Sequence, residues 1–314
     1  MIFDENFIEE LDELIKRKDL NSIERFIQKP NRKRCNKSFF RSALMVPGYK
    51  PKYLNKLDSL IADIAVINLE DGVSKELKPV ALRVVALFLS YLKRSNSLIV
   101  VRVNPLDFGG KEEIEFLNQF KPDAIRVPKI KSTKDVKEAL ELIDEDIDLH
   151  LSIETKEAFL NLKELKVDSR VKAYYLGVLD LLNDLDIPQN ILKVSNPTIN
   201  YILSSFLIIS KASNVLPISF VYQDYKNLEE FKNWCKYEKD MGFSAKGCIS
   251  VKQAKIANEI FSISYEILQK AKYIKDIFEK MQKRGVTGFV DEKYGFIDEP
   301  IYKDALKILG KKDV

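Results

Sequence analysis

Histidine occurs once in the 314-residue chain, at position 150. A single imidazole disfavours a zinc site built on histidines, and it disfavours a Ser-His-Asp triad. His150 stands two alternations before Glu154 on the same strand face, so it is expected to point into the interior as a core residue. Cysteine is nearly as scarce. Cys35, Cys235 and Cys248 are far apart and odd in number, which gives neither a zinc spacing nor a disulfide framework and suits the reducing cytoplasm. A surplus of one charge is also missing: 51 Lys and Arg stand against 47 Asp and Glu, a net +4, so no nucleic-acid partner is expected. Apolar runs such as Phe206-Leu-Ile-Ile are too short to span a bilayer. The opening MIFDENFIEELDEL is acidic and amphipathic, unlike a secretory leader.

What is present is a hydrophobic fraction of 46%, enough for a sizeable core in one large domain. Short β-rich runs alternate with spacers of helix length. The runs are Phe39–Val46, Ile61–Leu69, Ser97–Val103, Ala124–Val127, Leu149–Ile153, Ala173–Leu176, Leu216–Val221 and Lys246–Ile249. Alternating βα units predict a parallel sheet, and eight of them predict an α/β fold closed as a (β/α)₈ TIM barrel. An open doubly wound sheet is the alternative. Residues 1–37 read as an N-terminal helical extension, with Phe7, Ile8, Leu11, Leu14 and Ile15 on one face, continued by Ile23, Phe26 and Ile27. The barrel is expected over 38–262. Residues 263–314 read as a helical lid or oligomer arm: a long helix from Tyr265 to about Lys283, a turn-rich stretch Gly285 to Pro300, and a short helix from Ile301. The basic run Arg32, Lys33, Arg34 and Lys37 reads either as a solvated linker or as a contact for a phosphorylated ligand handle.

In such a barrel, catalytic groups gather at the C-terminal ends of the strands. Here those ends carry Glu70-Asp71-Gly72, Arg102-Val-Asn104, Pro128-Lys129, Glu154-Thr155 and Gly177-Val-Leu-Asp180. Asp71, Thr155 and Asp180 each also suit a helix N-cap. Glu154 and Asp180 come from adjacent predicted strands, and two carboxylates there can share one hard cation such as Mg²⁺, which keeps its remaining sites for water and substrate oxygens. Arg102 is flanked by valines at a strand end. Its guanidinium needs a partner: a substrate carboxylate or enolate oxygen, or a salt bridge to Glu70 or Asp71.

The ordered motifs resemble the citrate lyase β-subunit-like family of the HpcH/HpaI aldolases. They are Arg41-Ser-Ala-Leu-Met-Val-Pro-Gly48, Asn68-Leu-Glu-Asp-Gly-Val73, Val101-Arg-Val-Asn-Pro105, Val127-Pro-Lys129, Ile153-Glu-Thr155, Gly177-Val-Leu-Asp-Leu181 and Gly295-Phe-Ile-Asp-Glu-Pro300. The resemblance covers about residues 38–310. It implies a magnesium-dependent carbon–carbon lyase acting on a 3-hydroxyacyl-CoA such as citryl-, malyl- or citramalyl-CoA, with acetyl-CoA and a 2-oxo acid as products. It implies Glu154 and Asp180 as metal ligands, Arg102 as the substrate-binding and catalytic arginine, and Glu70, Asp71 and Gly177 as further substrate-site positions. Asp298 matches an aspartate that a neighbouring subunit lends to the site in homotrimers or hexamers. Departures from the pattern are Asn68 for Asp, Ser219 for Asp after the seventh strand, Ala245 before Lys246, and Ser250-Val251 for His-Pro. They leave two further readings: an aldolase on a CoA-free 4-hydroxy-2-oxo acid, and a catalytically reduced barrel that docks a partner through residues 1–37.

Overall fold

A computed structural model describes residues 1–310. It forms two compact units, Met1–Phe261 and a second that begins at Ser262. In the first unit, eight parallel strands close into a barrel in sequence order. They are β1 (Ser42–Pro47), β2 (Ile64–Asn68), β3 (Leu98–Arg102), β4 (Ala124–Val127), β5 (Asp148–Ile153), β6 (Val171–Leu176), β7 (Leu216–Ser219) and β8 (Ala245–Cys248). Strands such as Ile64-Ala-Val-Ile-Asn68 and Leu98-Ile-Val-Val-Arg102 are buried at every position. This is the continuous burial that a parallel sheet needs when helices cover one face and the interior fills the other. The interior packs Ile64, Val66, Val100, Ala124, Ala173 and Ile218. Two residues further along β2, β3 and β4, the inward positions turn polar at Asn68, Arg102 and Arg126.

The observed strands start or stop two or three residues away from the sequence expectation at β1, β2, β6 and β7. For β1 the reason is visible: the N–H of Arg41 donates to the Asp63 carboxylate at 2.8 Å instead of opening the ladder. That bond belongs to a charged floor under the barrel. Arg32 donates through both terminal nitrogens to Asp123, at 3.0 and 2.8 Å, with both side chains buried. Lys37 and Arg41 pair with Asp63, and Arg34 pairs with Asp148. These aspartates stand at the N-terminal ends of β2, β4 and β5, opposite the catalytic face. Arg32, Arg34 and Lys37 are therefore spent on structural ion pairs, while Lys33 stays exposed. These pairs tie the chain entry to the barrel floor.

The N-terminal extension folds as two helices, Glu5–Arg17 and Leu20–Arg25, capped by Asp4 and Asp19. Leu11, Ile15 and Ile23 are buried. Phe3 packs edge-on against Phe88 at 5.2 Å, and Arg83 pairs with Glu24 at 2.8 Å. This explains why the helix Lys78–Tyr91 is apolar around its whole circumference: the barrel covers one side and the extension the other.

The second unit holds the helix Tyr265–Gln282, an antiparallel hairpin of β9 (Gly288–Asp291) and β10 (Gly295–Asp298), and the helix Glu299–Gly310. Ala271, Ile274, Phe278, Ile297 and Ala305 form its own small core. The stretch expected to be only turn-rich is thus a hairpin. Asp291 accepts from the N–H groups of Lys293 and Tyr294, and Gly295 takes the left-handed φ of +74° that closes the turn. Among the described residues no helix is long and apolar enough to cross a membrane.

Candidate active site

Glu154 follows β5 directly, and Asp180 lies in the first turn of the helix Val178–Asp184 after β6. The two strands are hydrogen-bonded neighbours, so both carboxylates reach the same side of the barrel mouth. Between them stands Lys129. Its ammonium lies 2.8 Å from Asp180 Oδ1 and 3.8 Å from Glu154 Oε1, while its backbone N–H donates to Glu154 Oε1 at 2.8 Å. Burial works against the Lys129 charge, but the hydrogen bond to Asp180 and the Glu154 carboxylate hold its pKa above the ordinary lysine value. Lys129 does this from a left-handed backbone with φ +54°, an uncommon conformation for a side chain with a Cβ.

The two acids therefore converge on one cationic position, which the Lys129 ammonium takes. Glu154 is buried and Asp180 half exposed, an arrangement that suits a hard cation held by two carboxylates with its other sites open. No group of three or more His, Cys, Asp or Glu suited to a metal occurs among the described residues. Gly177 makes room for Glu154: a Cβ there would lie 2.6 Å from Glu154 Cβ and 2.9 Å from its Oε2. Thr155 is a true N-cap, accepting from the Ala158 N–H, whereas Asp71 caps nothing and Asp180 is inside its helix. A cavity of about 500 Å³ opens beside the pair, with Phe108, Lys129 and Lys134 among its walls.

Arg102 is buried and reaches three acids. It pairs with Glu70, lies 3.2 Å from Asp71 Oδ2 and 3.9 Å from Glu154 Oε2. Its Nε is buried and donates to nothing. Both carboxylates named as its alternative partners thus hold it at once. Burial pushes the Glu70 carboxyl up to about 7, because desolvation outweighs the Arg102 charge, with Asp71 and Glu154 adding repulsion. Asp71 goes the other way: burial is outweighed by the Glu70 contact and the Arg102 guanidinium, which hold its carboxyl below the usual range. Asn68, where the family pattern has Asp, shapes this loop by accepting from the Glu70 N–H at 3.3 Å and donating to the Asp71 carbonyl at 2.5 Å. Gly72 completes the turn with φ +83°.

A layer that the sequence reading did not single out lies beside Arg102. Arg126, its register partner on β4, is 6% exposed. It donates through Nε to Ser152 Oγ at 2.8 Å, and its guanidinium lies 4.1 Å over the Tyr175 ring. The Tyr175 hydroxyl meets His150 Nδ1 at 3.2 Å. Burial, then the Arg126 charge, push His150 down to about 3, so the one imidazole is a neutral interior group. The signal for Arg126 was legible: a charged residue at an inward position of an otherwise apolar strand.

The departures noted after β7 and β8 also have a structural account. Ser219 donates to Glu238 Oε1 at 2.7 Å, and Lys246 pairs with the same oxygen at 2.7 Å, all fully buried. Lys246 Nζ lies 3.7 Å from the Phe220 ring centroid. Glu238 sits on the Phe231, Trp234, Cys235 face of its helix, a charge on an apolar stripe that the sequence reading passed over. Ser250 accepts from the Gln253 N–H at the start of the helix Val251–Phe261, and Gln253 ties that end to the Tyr222 carbonyl. In the second unit, the Asp298 carboxylate accepts from the Ile301 N–H at 3.3 Å.

These features define a class, a (β/α)₈ barrel with two converging carboxylates and a buried arginine at the C-terminal ends of its strands. The sequence profile described as HpcH/HpaI aldolase/citrate lyase matches residues 41–251, and the chain belongs to that family. It is similar to the (3S)-malyl-CoA thioesterase of Cereibacter sphaeroides, 30% identical over 247 residues, covering 78% of this chain and 85% of that one. The human mitochondrial citramalyl-CoA lyase is 27% identical over 285 residues, covering 84% and 83%. Among solved structures, the CitE protein of Mycobacterium tuberculosis in complex with magnesium, acetoacetate and coenzyme A has a TM-score of 0.69 at 21% identity, covering 87% of this chain and 98% of that one.

Proposed function

We propose that the chain is a Mg²⁺-dependent carbon–carbon lyase that cleaves or forms a 3-hydroxyacyl-CoA of the citryl, malyl or citramalyl type, with acetyl-CoA and a 2-oxo acid as the other side of the reaction. The observation that carries this reading is the convergence of Glu154 and Asp180 on the one position that the Lys129 ammonium takes, beside the guanidinium of Arg102. Glu154 and Asp180 would hold the ion in place of that ammonium. When bound, Mg²⁺ supplies Lewis-acid stabilisation of negative charge on the oxygen that becomes the oxo-acid carbonyl.

The protein's own groups do the rest. Arg102, desolvated and fixed by Glu70 and Asp71, orients the substrate and meets the developing oxyanion without reorganising. Glu70, Asp71 and Gly177 shape the substrate position: the first two set the arginine, and the glycine leaves space beside Glu154. Asp298 serves as acid/base at the substrate hydroxyl and the thioester carbon, supplied by a neighbouring copy in a homotrimer or hexamer, with residues 263–314 as the arm or lid that carries it. Three free thiols, two of them buried, fit a cytoplasmic setting.

The test is product analysis with citryl-, malyl- and citramalyl-CoA. Formation of acetyl-CoA and a 2-oxo acid, abolished by chelation and restored by Mg²⁺, supports the lyase. Release of free coenzyme A with the intact hydroxy acid would instead assign thioester hydrolysis, as in the name of the Cereibacter relative. Turnover of a CoA-free 4-hydroxy-2-oxo acid alone would assign the aldolase reading.

A further inference from the structure

Arg102 and Arg126 are register partners on adjacent strands, and both project into the barrel mouth. Among the two, only Arg102 has acids at ion-pair distance, Glu70, Asp71 and Glu154, whereas Glu154 and Glu70 reach Arg126 only at longer range. Arg126 makes one hydrogen bond, through Nε to Ser152, and one ring contact, with Tyr175. Its Nη1 and Nη2 donate to no protein group among the described residues, yet neither is among the sealed, unsatisfied atoms, so both border accessible space. The neighbouring Nε of Arg102 is buried and unsatisfied. Two guanidiniums side by side in a desolvated interior repel one another, and unpaired donors there are costly. An anion on the open Arg126 Nη groups relieves the repulsion and fills those donors. Tyr175 and Ser152 fix the plane of Arg126, so little side-chain freedom is lost on binding. Planar, bidentate geometry selects a carboxylate.

Resting on the lyase reading above, we propose that Arg126 is a specificity-determining residue that binds a second carboxylate of the substrate, so that the oxo acid handled here is a 2-oxo dicarboxylate and not a monocarboxylate bearing only hydrogen or methyl. The first carboxylate belongs with the metal pair, and the second lies deeper, on Arg126.

The test uses two stable Mg²⁺ chelators that differ by this group, malate and lactate, in calorimetric titrations of the full-length protein with Mg²⁺. Malate is expected to bind at least about tenfold tighter than lactate, the factor a charged hydrogen bond carries. Arg126→Met is expected to bring the two within about twofold of each other while leaving lactate binding unchanged; Arg126→Lys, a point charge without the fork, recovers part of the preference. Equal binding of malate and lactate by the unaltered protein overturns the proposal whether or not the variants fold. So does a variant that weakens both ligands alike. Thioester turnover is read separately: a malate preference without cleavage of any thioester leaves this subsite standing and removes the lyase reading, whereas cleavage without the preference does the reverse.

Discussion

Gly177→Ala isolates the geometry of the cation site from its chemistry. The substitution adds one methyl group and removes no ligand. Gly177 has φ −92°, which alanine also adopts, so the left-handed penalty does not enter. The added Cβ would meet Glu154 Cβ at 2.6 Å and Oε2 at 2.9 Å. Carbon atoms in contact prefer about 3.5–4 Å, so one side must yield by roughly 1 Å. Gly177 is held by its N–H to the Ile153 carbonyl at 2.9 Å, and Glu154 is held by the Lys129 N–H at 2.8 Å. The carboxylate is the freer of the two and shifts. Overpacking of this kind costs about 1–3 kcal/mol of stability. Misplacement of a catalytic group by about 1 Å costs on the order of 100-fold in rate. Initial rates against Mg²⁺ concentration should give a higher half-saturating Mg²⁺ and turnover lower by about that factor, with a melting temperature reduced by a few degrees. A Gly177→Ala protein with unaltered Mg²⁺ dependence and turnover would refute the placement of the ion on Glu154.

Three further outcomes are expected. Arg32→Met leaves the Asp123 carboxylate buried against two backbone N–H groups without its guanidinium, and should cost about 3–5 kcal/mol in chemical denaturation, while Mg²⁺ dependence at the opposite end of the barrel stays unchanged. Mixing inactive Glu154→Gln and Asp298→Asn proteins should restore part of the activity if each site borrows Asp298 from another copy; no recovery after subunit exchange would place both groups in one chain. Glu70, pushed up to about 7 from 4.5, holds a proton in the folded metal-free protein that the unfolded chain has already released. Stability therefore falls as pH rises from about 4.5 through about 7, and Glu70→Gln should raise the melting temperature more at pH 8 than at pH 5. An equal change at both pH values would remove Glu70 from that titration.

Most of the barrel and much of its mouth were legible in the sequence, for definite reasons. Alternation of apolar runs with helix-length spacers reports burial, and burial decides the sheet. Glu154 and Asp180 stood out because a charge at the end of an apolar strand has no structural need to be there. Contacts between distant segments carry no such local mark. Arg32, Arg34 and Lys37 look like any basic linker until β2, β4 and β5 bring Asp63, Asp123 and Asp148 beneath them. Glu238 reads as a surface charge until Lys246 and Ser219 are found against it. The hairpin of β9 and β10 is written in turn chemistry at Asp291 and Gly295, which a search for helices overlooks.

Arg126 belongs to a third kind. Its position was readable, since inward alternation along Ala124-Ile-Arg-Val127 follows from the strand itself. Its meaning was not, because it depends on a missing partner. A buried arginine with a carboxylate beside it is closed structure; one whose terminal nitrogens meet only accessible space is an incomplete site. The family resemblance implies matching roles for Glu154, Asp180 and Arg102, and so points to a shared chemistry. The choice among oxo acids must come from residues that meet the part of the substrate beyond the reacting atoms, and a charge without an ion-pair partner at the level of Arg102 can make it. That is why the malate and lactate comparison bears on more than one side chain: it asks whether the electrostatic incompleteness of the barrel interior is the substrate's outline.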